Sequence, residues 1–130
     1  MAYAKPLLAV DRVLRLDGSG ITIEKAITGD EHFFQGHYPG YAVLPGVFVI
    51  EAVHQAARRY LESQGESARL EEVRSSRFLA PFRPGDVLVC ECRCSKVVHE
   101  RRLEVEATCR NRGVTAATVK ISYRFDSPGA

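Results

Sequence analysis

One stretch constrains this chain more than any other. Between Pro45 and Gly65 runs a single long helical pattern, in a chain whose remaining periodic segments alternate in strand fashion. Pro45 suits the first helical position, where its missing N–H costs nothing. Val47, Ile50, Val53 or His54, Ala57 and Leu61 recur at helical spacing, and Arg58, Arg59 and Glu62 mark the far, solvated end before Gly65 stops it. About 18 residues at 1.5 Å each make a rod of roughly 27 Å. A lone, broadly apolar helix has to bury its surface against something. With only strands on either side, the economical partner is a curved antiparallel sheet wrapped around it.

The strands support that α+β reading. LLAVDRVLRLD (7–17) and ITIEKAIT (21–28) flank a turn at Asp17-Gly18-Ser19-Gly20, so the two are expected to form a hairpin. After the helix, LEEVRSSRFLAPF (70–82) leads to a turn at Pro84-Gly85-Asp86, and DVLVCECRCSKVVHE (86–100) alternates apolar and polar residues before turning near His99–Arg101. RRLEVEATCRN (101–111) and VTAATVKISYRF (114–125) follow, joined at Asn111-Arg112-Gly113, where Gly113 suits the left-handed position. The 130 residues make one domain, 1–130, without linker or repeat. One helix on one sheet leaves an edge strand and apolar surface uncovered, so a dimer is expected.

Several function classes fall away on composition. A net charge of +2, with fourteen arginines scattered along the chain, is too weak and too dispersed for nucleic-acid binding. No apolar run approaches the ~20 residues of a membrane helix. The N-terminus lacks the pattern of a secretory leader, which makes the cytoplasm the expected compartment. Cys90, Cys92 and Cys94 alternate along one strand and so share a face. They have no C-x-x-C spacing, and with Cys109 they read as small packing residues rather than as a zinc site or a disulfide framework.

The chemistry concentrates between Glu31 and Tyr60. His37 sits among glycines and prolines, and Glu51 lies fourteen residues on, within the helix. A histidine is partly neutral near pH 7 and can take a proton. A glutamate on an apolar helix is placed to hold a proton and give it up. Gly46 and Val47 would supply free N–H groups at the helix N-terminus for a developing oxyanion.

The stretch FFQGHYPG-x-x-x-LPGVFVIEAVHQAA resembles the signature of the FabZ-type 3-hydroxyacyl-[acyl-carrier-protein] dehydratases, and the likeness continues through KPLLAVDRV before it and RFLAPFRPGDVL after it. The resemblance implies a hot-dog fold and a dimer, homodimeric or heterodimeric, with active sites at the subunit interface. His37 would be the catalytic histidine and Glu51, from the other subunit, the catalytic glutamate. Gly46 would meet the thioester carbonyl, and Gln55 would stand behind Glu51. The implied reaction forms the trans-2-enoyl thioester, in fatty-acid or polyketide synthesis, with an acyl carrier protein as partner and no metal or other cofactor. Arg77, Arg83, Arg101 and Arg102 are the arginines near turns that such an acidic partner would meet.

Three positions depart from the family pattern: Ala42 stands for Pro, Leu44 for Met, and His54 for a small residue. His54 lies one turn from Glu51 and either tunes it, shapes the acyl site or simply packs. Two rival readings use the same fold: an acyl thioesterase, and a non-catalytic subunit of a heterodimeric dehydratase.

Overall fold

A computed structural model describes residues 8–28 and 43–126. Six strands form one antiparallel sheet: β1 (Arg12–Asp17), β2 (Gly20–Ala26), β3 (Ala68–Phe78), β4 (Val87–Val97), β5 (Arg102–Asn111) and β6 (Val114–Phe125), in the order β1-β2-β4-β5-β6-β3. The helix α1 (Gly46–Ser63) lies across the inner face of this sheet. This is the helix-in-sheet arrangement expected from the hydrophobic pattern.

Local chemistry sets the corners. In the β1–β2 hairpin the Asp17 carboxylate accepts hydrogen bonds from the Ser19 N–H (2.8 Å), the Ser19 hydroxyl (2.7 Å) and the Gly20 N–H (3.2 Å). Those Ser19 contacts hold its pKa down to about 2. A Cβ on Gly20 would stand 2.0 Å from the Cys92 carbonyl oxygen, so the close approach of β2 to β4 requires glycine there. At the β5–β6 turn Arg112 and Gly113 both adopt positive φ (53° and 81°), the two-residue turn whose twist matches paired strands. The helix ends in a double hydrogen bond: the Gly65 N–H donates to the Glu62 carbonyl and the Glu66 N–H to the Leu61 carbonyl, with Gly65 at φ 67°.

Element boundaries differ from the sequence reading in instructive ways. Pro45 is the residue before the helix, with extended backbone (φ −60°, ψ 141°), and Gly46 is the first helical residue. β1 begins at Arg12 rather than Leu7, because Ala9 and Val10 turn into the core instead of pairing. β3 stops at Phe78, after which Leu79 and Ala80 both donate to the Ala116 carbonyl.

The core lies between the helix and the sheet. Phe48, Val49, Ala52, Val53, Ala56, Ala57, Tyr60 and Leu61 face strand residues that include Ile21, Ile23, Leu88, Leu103, Val105, Val119 and Ile121. The three alanines let the helix axis approach the sheet closely. All four cysteines are reduced and buried, with Cys90 Sγ 3.3 Å from Cys109 Sγ across β4 and β5. Burial pushes the Cys94 thiol up to about 12, so Cys94 is a packing group rather than a nucleophile.

The buried stripe is not the one read from spacing. Val53, Ala57 and Leu61 are core, but Val47 is 72% exposed and His54 only half buried. The first five helical residues, Gly46–Ile50, carry no polar side chain, so this stretch lacks the polar contrast needed to phase the stripe. The sheet supplies the phase.

Candidate active site

The helix begins under two constraints. The Leu44 N–H donates to the Phe82 carbonyl (2.8 Å), fixing the direction from which the chain reaches Pro45. The Phe78 ring lies over Gly46, where an added Cβ would come within 2.8 Å of a ring carbon. Glycine therefore keeps the first turn of backbone open beneath that ring. Among the described residues no side chain caps this end, and no acidic residue occupies the first turn. The N–H groups of Gly46 and Val47 have no intrahelical acceptor, and the positive end of the helix dipole is left uncompensated there.

Glu51 follows one turn along, half buried. Its Oε1 accepts a hydrogen bond from Gln55 Nε2 (3.0 Å), and Gln55 Oε1 in turn accepts from the backbone N–H of buried Ala9 (2.9 Å). Gln55 is thus a clamp between the carboxylate and the segment leading into β1. Val47, Glu51 and Gln55 follow one another at i, i+4 spacing and so share one side of the helix.

His54 is turned toward the sheet. Its Nδ1 lies 2.7 Å from the Tyr123 hydroxyl, and the two rings are parallel within 4° at a centroid distance of 5.7 Å. Burial lowers its pKa, an effect the nearby Glu51 opposes and Arg58 reinforces. Burial likewise pushes the Tyr123 phenol up, so the phenol keeps its proton. An open groove of about 440 Å³ runs along the helix past Glu51, His54, Gln55, Arg58 and Glu62, with Leu8 on its rim.

His37 lies outside the described residues, as do His32, Phe33, Phe34 and the position of Ala42. Leu44 is buried, in keeping with an apolar exchange. Of the four arginines near turns, Arg77 and Arg102 lie apart. Arg77 pairs with Thr118 and Arg102 with Arg124, positions of β6 six residues apart and so separated by about 20 Å. Arg102 is also taken up by Glu100 and Glu104.

Two residues escaped the sequence reading. Phe78 closes over Gly46, and nothing in its strand distinguishes it from a packing residue. Tyr123 carries the only clue: it continues the inward set Val119, Ile121, Tyr123, and an inward hydroxyl needs a partner. Among the described residues no cluster of side chains suited to a metal occurs, and no helix is long and apolar enough to cross a membrane.

Comparison with known proteins follows the same lines. Residues 14–119 match the family model of the ApeI-like proteins, described as ApeI dehydratase. The 3-hydroxyacyl-[acyl-carrier-protein] dehydratase FabZ of Levilactobacillus brevis is 46% identical over 88 residues, which span 64% of this chain and 60% of that protein. The FabZ dehydratase of Fusobacterium nucleatum is 32% identical over 124 residues, covering 92% of this chain and 86% of its own length. Among solved structures, the dehydratase heterocomplex ApeI:P from Xenorhabdus doucetiae superimposes with a TM-score of 0.73 at 18% identity, covering 96% of this chain and 87% of that one. That likeness shows a shared fold.

Proposed function

Because the chain belongs to the family of ApeI-like, FabZ-related dehydratases, we propose that it removes water from a 3-hydroxyacyl thioester carried on an acyl carrier protein. The product is the trans-2-enoyl thioester. The observation that carries this reading is Glu51, held by the Gln55 clamp one turn from an uncapped helix N-terminus. A carboxyl group presented beside free backbone N–H groups suits a reaction in which an oxyanion develops at one atom while a proton is delivered two carbons away.

In this mechanism the thioester oxygen accepts from the N–H groups of Gly46 and Val47. His37 takes the C2 proton, and the electron pair of that C–H bond becomes the C2=C3 double bond as the C3–O bond breaks. Glu51 gives its proton to the departing hydroxyl, which leaves as water. One backbone donor aimed at the oxyanion is worth roughly 3 kcal/mol of barrier. The exposed apolar side chains of edge strand β3, Leu70, Val73 and Phe78, support a dimer built on that edge. In such a dimer His37 of one subunit would meet Glu51 of the other. An enzyme of carrier-protein substrates with these traits works in the cytoplasm.

Mass spectrometry of 3-hydroxyacyl carrier proteins of several chain lengths tests the proposal. Loss of 18 mass units from the loaded carrier, absent with His37→Ala and Glu51→Gln, is the expected result. Release of free thiol would mean a thioesterase, and binding without turnover a supporting subunit. Undiminished turnover in both variants would sink the mechanism.

A further inference from the structure

The helix sets out its polar groups in order along its length. The N–H groups of Gly46 and Val47 come first, at its N-terminus, and Glu51, His54 and Arg58, which line the groove, follow at about one turn each. Under the mechanism above the first two hold the thioester carbonyl and the third serves C3. His54, roughly 4.5 Å further along the axis, stands where the acyl tail beyond C3 would lie.

The chemistry of His54 at that point is settled by its neighbour. The Tyr123 side chain is buried at 1% exposure, where a hydroxyl proton needs an acceptor, and His54 Nδ1 stands 2.7 Å away in position to be that acceptor, while parallel stacking holds the imidazole plane. An imidazole that accepts at Nδ1 is neutral and carries its proton on Nε2. Burial of the ring disfavours the doubly protonated form as well. With Nδ1 committed to Tyr123, Nε2–H is the donor that remains for the groove His54 lines. Arg58, exposed, adds further donors one turn on. Where His54 and Arg58 line it, the groove offers donors that are poorly matched to a plain hydrocarbon tail, because a donor stripped of water without an acceptor is costly.

Resting on the proposed dehydration, we infer that His54 is a specificity-determining residue, whose Nε2–H selects 3-hydroxyacyl chains bearing an oxygen acceptor, a hydroxyl or ketone, a few carbons beyond C3. The favoured substrate class is therefore an oxygenated acyl chain, the kind left when an earlier β-ketone or β-hydroxyl survives an elongation round. The reaction that supplies such a substrate is a chain extension followed by ketoreduction without full reduction of the preceding unit.

The test compares 3-hydroxyhexanoyl-pantetheine with 3,5-dihydroxyhexanoyl-pantetheine in two ways. The ratio of kcat/KM is measured on the wild-type protein, His54→Phe and His54→Gln, and the ratio of affinities is measured by calorimetry with each combined with Glu51→Gln. One neutral hydrogen bond predicts about a tenfold preference of the wild type for the 3,5-dihydroxy chain. His54→Phe, which keeps the stacked ring but loses the donor, is expected to bring both ratios to about one, and His54→Gln, whose amide donor replaces Nε2–H, to restore part of them. Equal ratios in the wild type, or a preference that survives in His54→Phe, would overturn the inference. If neither chain loses water, the proposed dehydration has failed, and the affinity ratios still decide the role of His54.

Discussion

The two faces of α1 obey different rules. Its inner face is a set of eight buried side chains chosen for volume: three alanines where the sheet comes close, Val49 and Val53 between them, Phe48, Tyr60 and Leu61 toward the ends. Its outer stripe, Val47, Glu51, His54, Gln55 and Arg58, is chosen for chemistry, and each polar member except Arg58 is tied to a specific partner. Changes on the inner face should therefore register in stability, and changes on the outer stripe in turnover. Few single helices separate the two so cleanly, and the difference can be measured.

The sharpest break is expected at Glu51. Glu51→Gln should lower kcat on the order of 10³-fold, the scale of a lost general acid, with little change in the thermal midpoint. On the opposite face Ala56→Leu should do the reverse. Ala56 is fully buried, so the added bulk should cost about 1–3 kcal/mol in urea unfolding while the folded fraction keeps its turnover number. If Ala56→Leu abolished turnover at unchanged stability, the division between the faces would be wrong.

A smaller effect is expected at the clamp. Gln55→Leu removes the hydrogen bond to Glu51 and orphans the Ala9 N–H, and should reduce kcat by about fivefold to tenfold, as the loss of about 1 kcal/mol implies. An unchanged kcat would mean that Glu51 needs no positioning from Gln55. The smallest effect concerns pH. Burial holds the folded-state pKa of His54 below its ordinary value near 6.5, so the unfolded chain takes up that proton first as the pH falls. The contribution is intact above pH 6.5 and is lost below it. Melting curves between pH 7.5 and 5.5 should fall less steeply for His54→Phe than for the wild type, and identical slopes would place the acid sensitivity elsewhere.

Much of this was legible before any coordinates. The helix was visible because Gly46–Ser63 is a continuous helix-forming run bounded by Pro45 and Gly65, and the strands because β4, β5 and β6 alternate for ten residues or more. The turns announced themselves through Asp17-Gly18, Pro84-Gly85 and Arg112-Gly113. Glu51 could be singled out because a carboxylate on an apolar helix is an exception that asks for a reason, and Gln55 through the family motif alone. The phase of the helix was not legible, since Gly46–Ile50 carry no polar side chain to mark one side. Nor was the spacing of the arginines near turns, because sequence proximity to turns says nothing about which end of the sheet a turn occupies: Arg77 and Arg102 proved to be about 20 Å apart.

The sequence by itself determined the class of the fold and the identity of the family, because periodicity and a long motif are local properties of the chain. Which strand closes the sheet, which face of α1 meets it, and what His54 touches were decided only in three dimensions. Tyr123 is sixty-nine residues from His54, and no spacing rule links them. They meet because β6 lies beneath the helix, and that placement depends on the packing of the whole core.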